Sequence, residues 1–266
     1  MGVDIPRKIV LYNQSREKVD FKKLKEFVWG NFALKLEIRQ NFPANKLSIK
    51  DLTLEFAKSR VRDINNPLAK HSPLPLEIAN EEHYLKNNKV NPNLIYDALK
   101  LLLLFEKLLK VEDPGNCQIV LTDRLLGTFA DDSRFHLRSI VCGYPSIISI
   151  SGIVEAPARP KEFYLIKNRL VLLGLWEQEE DNVRARFKSR FIDFGDKRIT
   201  EVLKGFISQA LFFYFAKNPF CEERACRLFN SHWQEDLIYS QVKTGRFCKK
   251  HARSVKNLLI QERMEK

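Results

Sequence analysis

The sequence predicts an α/β fold in which a mixed, twisted β-sheet is covered by packed helices. Short runs of β-branched and apolar residues alternate along the chain with segments whose apolar residues recur at helical spacing. Hydrophobic residues make up 44% of the 266 residues, and 19 residues are Phe, which is enough apolar material for a packed core. This composition excludes an intrinsically disordered chain, and 10 Gly and 11 Pro exclude a collagen-like one.

The N-terminal part of the chain alternates between strand and helix patterns. Residues 8–12 (KIVLY) are typical of a buried strand, and apolar residues at helical spacing predict a helix over 21–29. Alternation then predicts a second strand over 33–38, and helical spacing returns over 52–61. Residues 64–93 contain four prolines and little periodicity, which indicates a long irregular connection.

The rest of the chain predicts three further helices and at least three strands. The helices are expected over 94–110 with Asn93 as N-cap, over 200–217, and from 251 towards the C-terminus. The strands are expected over 117–122 (CQIVLT), 136–152 and 183–191. The last of these alternates between apolar residues and a basic row formed by Arg184, Arg186, Lys188 and Arg190.

The charge balance and the apolar stretches indicate which partners and which cellular location to expect. Lys and Arg number 45 against 33 Asp and Glu, a net charge of +12 that favours contact with phosphates or anionic surfaces. The longest uncharged apolar stretch, residues 205–216, is shorter than the ~20 residues of a membrane helix, so no membrane partner is expected. Five cysteines, an odd number, without a signal-peptide pattern predict a cytoplasmic, reducing location.

The sharpest chemical signal is a set of cysteine and histidine residues near the C-terminus. Cys221 and Cys226 are separated by four residues, and after 21 further residues Cys248 and His251 are separated by two. Two ligand pairs joined by a loop are the usual way in which a chain closes a tetrahedral zinc shell. A shell of three Cys and one His leaves no open coordination position, so we predict one structural Zn²⁺ and no catalytic role for it.

Two alternatives concern these cysteine and histidine residues. The cysteines could be unrelated thiols in a basic, exposed tail, although three of five falling within 28 residues beside a histidine argues against this. His232, inside the loop, is a spare candidate ligand that could compete for the metal. Cys117 and Cys142 lie in apolar strand segments and are interpreted as core residues.

The second half of the chain resembles the archaemetzincins, a branch of the metzincin zinc peptidases. In that family a strand ends in a Thr-Asp pair, a long helix carries HExxHxxGxxH, and Cys-x4-Cys follows directly. Thr122-Asp123 and Cys221-x4-Cys226 match this order, and Cys248-x2-His251 matches the distal Cys pair with His as its last member. Leu228 stands where the family has a Met. The resemblance covers about residues 117–251 and implies a metzincin-like fold whose C-terminal segment is stapled by zinc.

The catalytic half of the family pattern is missing. Aligned on Cys221, the three zinc-binding histidines of the family would fall at positions that hold Ala210, Tyr214 and Phe220. The general-base Glu is replaced by Leu211. Ala, Leu and Phe can neither ligate zinc nor accept a proton from metal-bound water, so hydrolysis is not expected at this position. The segment around it, SQALFFYFA, is apolar all round and typical of a buried scaffold helix.

The resemblance also suggests how the chain is divided. We expect an N-terminal α/β half over residues 1–112, and a metzincin-like half with the zinc-binding segment over residues 113–266. The length fits a single compact unit made of both halves.

Three functional hypotheses follow. The first is a catalytically inactive member of a metallopeptidase family that keeps one structural zinc and binds peptide or protein partners along an edge strand. The second is an active zinc metallopeptidase whose ligands lie elsewhere, with His83, His136 and nearby carboxylates as the available supply. The third is a nucleic-acid-binding protein that uses the basic row of 183–191 and a basic tail. The tail residues are Lys243, Arg246, Lys249, Lys250, Arg253 and Lys256.

Overall fold

The computed structural model describes residues 5–40, 42, 47–67, 69, 71–87, 94–109, 115–129 and 134–264, with side chains described up to residue 257. Eight strands lie in these ranges: β1 (Lys8–Gln14), β2 (Lys35–Arg39), β3 (Ile95–Asp97), β4 (Cys117–Thr122), β5 (Leu125–Phe129), β6 (Phe135–Arg138), β7 (Ile140–Val141) and β8 (Ser146–Ser149). The same ranges contain the helices α1 (Phe21–Phe32), α2 (Ile49–Lys58), α3 (Pro75–Asn87), α4 (Ala98–Leu109), α5 (Ile150–Glu155), α6 (Lys161–Leu172), α7 (Trp176–Phe187), α8 (Ile199–Ala216), α9 (Gln234–Ile238) and α10 (Lys249–Met264). A π-helical turn, Tyr239–Thr244, follows α9.

The main sheet has five strands in the order β2-β1-β4-β8-β7. β1 pairs in parallel with both β2 and β4, and β4 pairs in parallel with β8. The edge strand β7 runs antiparallel to β8, so the sheet is mixed, as predicted. β1 and β2 precede the predicted boundary at residue 112 and the other three strands follow it. A second sheet of three strands has the order β3-β5-β6.

The two faces of the main sheet are covered by different helices, because side chains alternate along each strand. Ile9 and Leu11 of β1 belong to a core cluster that contains buried residues of α1 and α8. Val10 and Tyr12, from the same strand, belong to a second cluster built on α4. All four side chains are at most 1% exposed. The protein is therefore a three-layer α/β/α structure, and α8 lies on one face of the sheet.

Most of the predicted elements are confirmed. The predicted strands over 8–12, 33–38 and 117–122 correspond to β1, β2 and β4, and the segment 136–152 contains β6, β7 and β8. The predicted helices over 21–29, 52–61 and 200–217, and the helix from 251, correspond to α1, α2, α8 and α10. In the part of the chain that the structure describes, no helix combines the length and the apolar character needed to cross a membrane.

The prediction of an irregular connection over residues 64–93 was wrong, because this segment contains helix α3. The helix is held by a polar residue rather than by an apolar stripe, so its sequence shows no helical period. Glu81 is completely buried, and its carboxylate accepts hydrogen bonds from Arg60 Nε at 2.7 Å and Arg124 Nη2 at 3.0 Å. The hydroxyl of Tyr96 donates a third bond to it at 2.6 Å.

The helix predicted over 94–110 starts later than expected, because Ile95–Asp97 form strand β3. The backbone of Asp97 donates to Ser59 O at 2.7 Å, which holds this segment extended. The side chain of Asp97 then accepts hydrogen bonds from the backbone N–H groups of Leu99 and Lys100, at 3.0 and 3.3 Å, and so acts as the cap of α4. The predicted cap, Asn93, lies outside the described residues.

The prediction of a strand over 183–191 was also wrong, since this segment is the end of helix α7 and the turn after it. Val183 and Phe187 are buried and four residues apart, which suits one face of a helix as well as alternate positions of a strand. Arg184 forms ion pairs with Glu180 at 2.8 Å, one helical turn away, and with Asp193 at 3.0 Å. The predicted basic row of a strand is therefore absent from this segment.

Candidate metal centre

The first ligand pair lies in a closed loop directly after α8. The backbone N–H of Cys221 donates to Leu228 O at 2.9 Å, and that of Phe229 donates to Cys226 O at 2.9 Å. These bonds turn the chain back on itself, so that the two cysteines, although five residues apart, lie on the same side of the loop.

The second ligand pair lies at the start of α10. Cys248 immediately precedes the helix and accepts the N–H of Ala252 through its carbonyl oxygen at 2.8 Å, while His251 lies in the first turn. Residues three apart on a helix share a face, so both side chains point towards the same place. The backbone bond from Arg227 N to Arg246 O, at 2.8 Å, ties this segment to the first loop.

The four predicted ligands, Cys221, Cys226, Cys248 and His251, are brought together, with their ligand atoms all within 4.8 Å of one another. The sulfur atoms of Cys221 and Cys248 are 4.0 Å apart, and His251 Nδ1 lies 3.6 Å from Cys226 Sγ and 3.1 Å from Cys248 Sγ. A tetrahedron with Zn–S bonds of about 2.3 Å and a Zn–N bond of about 2.0 Å has edges of about 3.5 to 3.8 Å. The separations lie around these values, from 3.1 Å to at most 4.8 Å, so small shifts of the side chains would bring the four atoms to the distances of a zinc shell.

The surroundings of the cluster also suit a cation. Burial raises the pKa of the Cys226 thiol to about 12, so its thiolate needs a positive charge beside it. Two backbone N–H groups point at sulfur: Glu223 N lies 3.4 Å from Cys221 Sγ, and Cys248 N lies 3.5 Å from Cys226 Sγ. Burial also lowers the pKa of His251, which favours the neutral imidazole that a metal requires.

Among the residues that the structure describes, this is the one group in which three or more Cys, His, Asp or Glu side chains converge in this way. His232 is not part of the group, and its carbonyl oxygen accepts the N–H of Ala158 at 2.8 Å. His83 lies on α3, where its ring is beside Asn87 Nδ2. Asn87 belongs to the same helix. His83 is not one of the four residues of the cluster.

The position of the missing catalytic motif is filled by core packing. Ala210 and Leu211, in the middle of α8, are each 1% exposed and belong to the cluster on the α1 face of the sheet. Tyr214 is partly buried against the same cluster, whereas Phe220 lies beyond the helix and is 38% exposed. Ala210 and Leu211 are thus part of the packed core, while Tyr214 lies at its margin and Phe220 lies outside it.

Lys217, where the archaemetzincin pattern has a Gly, ends α8 in the left-handed conformation with φ 55° and ψ 13°. Its ammonium group lies over the rings of Tyr144, Phe213 and Tyr214, at 4.6, 5.6 and 5.9 Å from their centroids. It also donates to the carbonyl oxygen of Tyr214 at 2.9 Å. The sequence reasoning missed this cluster, because no local pattern connects Tyr144 with a helix that ends 72 residues later.

A cavity of about 110 Å³ lies between the edge of the main sheet and α8. Its lining includes Arg138, Ile140, Gln209, Phe229 and His232. Gln209 is 2% exposed; its Nε2 donates to Phe229 O at 3.4 Å, and its Oε1 has no hydrogen-bond partner among the described residues. Gln209 therefore lies beside the cavity with its side-chain oxygen shielded from solvent. The sequence did not single out Gln209, since an uncharged residue in an apolar helix carries no motif.

Comparison with known proteins gives one family match and two similar structures. The profile of a family described as "Probable metallopeptidase family (DUF6775)" matches residues 5–258. No curated protein matches the sequence significantly. The crystal structure of archaemetzincin from Methanopyrus kandleri has a TM-score of 0.48 and 12% identity, and covers 96% of this chain and 96% of that one. A zinc-dependent peptidase from Methanocorpusculum labreanum (strain Z) has a TM-score of 0.47 and 13% identity, over 93% of this chain and 98% of that one.

Proposed function

The chain belongs to a family of probable metallopeptidases, and from that premise we propose that it is a catalytically inactive member which binds one structural zinc ion and acts by binding a peptide or protein. The observation that carries the proposal is a contrast within one stretch of chain. Ala210 and Leu211 are packed into the core where the family pattern needs a zinc ligand and a base, while eleven positions further on a Cys₃His cluster is assembled.

The zinc ion would be held by Cys221, Cys226, Cys248 and His251. When bound, it supplies a positive charge that stabilises three thiolates and crosslinks the loop after α8 to the start of α10. Because all four positions are filled by protein atoms, the ion has no place for a substrate. Phe212 of α8 packs against the ring of His251, with the centroids 5.3 Å apart, so the cluster also anchors α10 to the core.

Binding of a peptide is supported by the edge of the main sheet. β7 pairs with β8 on one side, and no other strand within the described ranges pairs with it, so its outer edge offers backbone groups to an added strand. The cavity beside it, of about 110 Å³ and lined by Arg138, Ile140 and His232 among others, leaves room for a side chain of a bound peptide. A cytoplasmic location belongs to the same proposal, since all five cysteines are free thiols and zinc ligation needs them reduced.

The proposal is tested by measuring metal content and peptidase activity on the same preparation. Protein purified without a metal-affinity step should contain about one zinc per chain, which Cys248→Ser should lose. Cys142→Ser is the matched control, because this thiol lies outside the cluster and should leave the zinc in place. Peptide hydrolysis should be absent from all three proteins.

Two outcomes would contradict the proposal. Hydrolysis that is abolished by a chelator and restored by zinc would show an active enzyme. A second metal that survives in Cys248→Ser would point to ligands elsewhere in the chain, as in the second hypothesis.

A further inference from the structure

Helices α6 and α7 form a hairpin with a small core of its own. Phe163 of α6 packs with Val183 and Phe187 of α7 and with Phe191, and these four side chains form a cluster separate from the two cores of the main sheet. The link between the helices turns at Gly174, whose φ of +70° is in the left-handed region. The hairpin is thus a defined unit, and its stability does not require the side chains on its outer surface.

The outer surface and the tip of this hairpin are apolar and exposed. Leu165 is 70% exposed, Val171 52%, Leu172 88% and Leu173 61%. Single exposed leucines are common, but four exposed apolar side chains within nine positions of one helix and its following turn are typical of an interaction surface. Tyr164 and Leu175 extend the same surface. We call these six residues the hairpin patch.

The spacing within α6 indicates which kind of surface would cover the patch. Leu165 and Leu172 are seven residues apart, and Asn168 lies between them, three residues after Leu165. This spacing places the three side chains on one exposed face of α6. The same face of a second copy offers an apolar surface of matching shape.

The charges beside the patch are self-complementary. Arg169 ends α6 and Glu177 begins α7, one on each side of the apolar tip along the chain. Neither makes an ion pair within the ranges that the structure describes. In a two-fold dimer, each copy presents the same surface to the other. One positive and one negative side chain on that surface can therefore pair twice, Arg169 with the other copy's Glu177 and Glu177 with its Arg169. The charges of the two helices balance, because three cations and one anion on α6 face four anions and two cations on α7, so an anionic membrane would gain no net attraction.

We propose that the protein forms a two-fold dimer in which the hairpin patch of one copy packs against that of a second copy, with Arg169 of each opposite Glu177 of the other. The patch contains no residue of the Cys₃His cluster or of the cavity beside β7. Dimerisation is therefore independent of the proposed zinc and peptide binding, and each can fail without the other.

The test is sedimentation velocity of the full chain in its zinc-loaded form over a range of concentrations. The native protein should be a dimer that dissociates on dilution, with a Kd on the order of 10 µM for a contact of this size. Leu165→Ser combined with Leu172→Ser should be monomeric throughout. Leu76→Ser is the matched control, because Leu76 is also 70% exposed but lies on α3.

A charge exchange tests the geometry of the contact. Arg169→Glu should weaken the dimer by roughly tenfold, and adding Glu177→Arg to the same chain should restore it. A native protein that stays monomeric at the highest concentration would overturn the proposal. So would a dimer that is equally stable in the two-leucine variant, or a monomer that binds vesicles of anionic phospholipid through Leu172.

Discussion

Two neighbouring residues at the end of α1 show how backbone conformation decides which side chain is best. Ala33 ends the helix with φ 54°, in the left-handed region that costs a residue with a Cβ about 1 kcal/mol. Gly30 lies inside the same helix, and a Cβ added there would meet no atom within 4 Å. Gly is therefore at a position that suits Ala, and Ala at one that suits Gly.

We predict that Ala33→Gly and Gly30→Ala each raise the free energy of unfolding by about 0.5–1 kcal/mol. Urea unfolding at a fixed zinc concentration measures both. The reverse type of change at an exposed helical position, Ala79→Gly in α3, is the control and should destabilise. Destabilisation by Ala33→Gly would show that this position is not left-handed in solution.

A second residue-scale feature is the ion-paired carboxylate of Glu37 at the edge strand β2. Hydrogen bonds from Lys8 Nζ and from Arg39 Nε, both at 2.7 Å, lower the pKa of Glu37 to about 2. A lowered pKa stabilises the folded state above the unfolded-state value of about 4.3, and this contribution is lost as the pH falls towards the folded value.

We predict that Glu37→Gln lowers the free energy of unfolding by about 1 kcal/mol at neutral pH, after allowance for solvent screening of a side chain that is 29% exposed. The difference from the native protein should shrink steadily as the pH is lowered from about 5 to about 3. Urea unfolding across this range measures it. A difference that stays constant with pH would contradict the assignment.

At the scale of elements, α3 depends on a single buried carboxylate. Glu81 lies between Arg60 and Arg124, whose side chains are 6% and 5% exposed. The guanidinium of Arg124 also lies over the ring of Phe56, at 3.7 Å from its centroid. Removing the carboxylate would leave two buried positive charges without their partner, which is far more costly than losing an exposed ion pair.

We predict that Glu81→Ala destabilises the protein by about 3–5 kcal/mol. Glu82→Ala, next to it on the exposed side of α3 and paired with Lys86, should change the stability by about 0.5 kcal/mol or less. Urea unfolding compares the two variants, and hydrogen exchange should show that α3 loses protection first. Equal effects of the two substitutions would show that the buried network does not hold the helix.

At the scale of the whole molecule, the Cys₃His cluster joins distant parts of the fold. Cys226 is completely buried in the core cluster that also contains Leu24 of α1 and Ile119 of β4. Phe247, next to Cys248, contacts the ring of Phe32 with centroids 5.9 Å apart. A metal at this place would stabilise the layer of helices that α1, α8 and α10 form on one face of the sheet.

We predict that a strong chelator lowers the melting temperature of the native protein and its free energy of unfolding by about 3 kcal/mol or more. The same chelator should have no further effect on Cys248→Ser, which would already be destabilised. Differential scanning calorimetry of both proteins with and without the chelator measures this. A melting temperature that is indifferent to chelator would remove the structural role of the metal.

The family resemblance and the candidate ligands could be inferred from residues alone, because they depend on chemistry and spacing along the chain. The resemblance to a metallopeptidase family is confirmed by the family match over residues 5–258. The four ligands were named from two short pairs, and the folded chain brings their ligand atoms within 4.8 Å of one another. Strands such as β1 and β4 could also be predicted from the sequence, since burial on both faces leaves an unbroken apolar run.

The features that required the folded chain depend on contacts between residues far apart in sequence. Helix α3 shows no apolar period because Glu81 pairs with Arg60 and Arg124, which are 21 and 43 residues away. Val183 and Phe187 fit a strand and a helix equally well, and packing against Phe163 settles the choice. Gln209 and the hairpin patch carry no sequence motif. The unpaired side-chain oxygen of Gln209 and the exposure of the patch are properties of the folded chain alone.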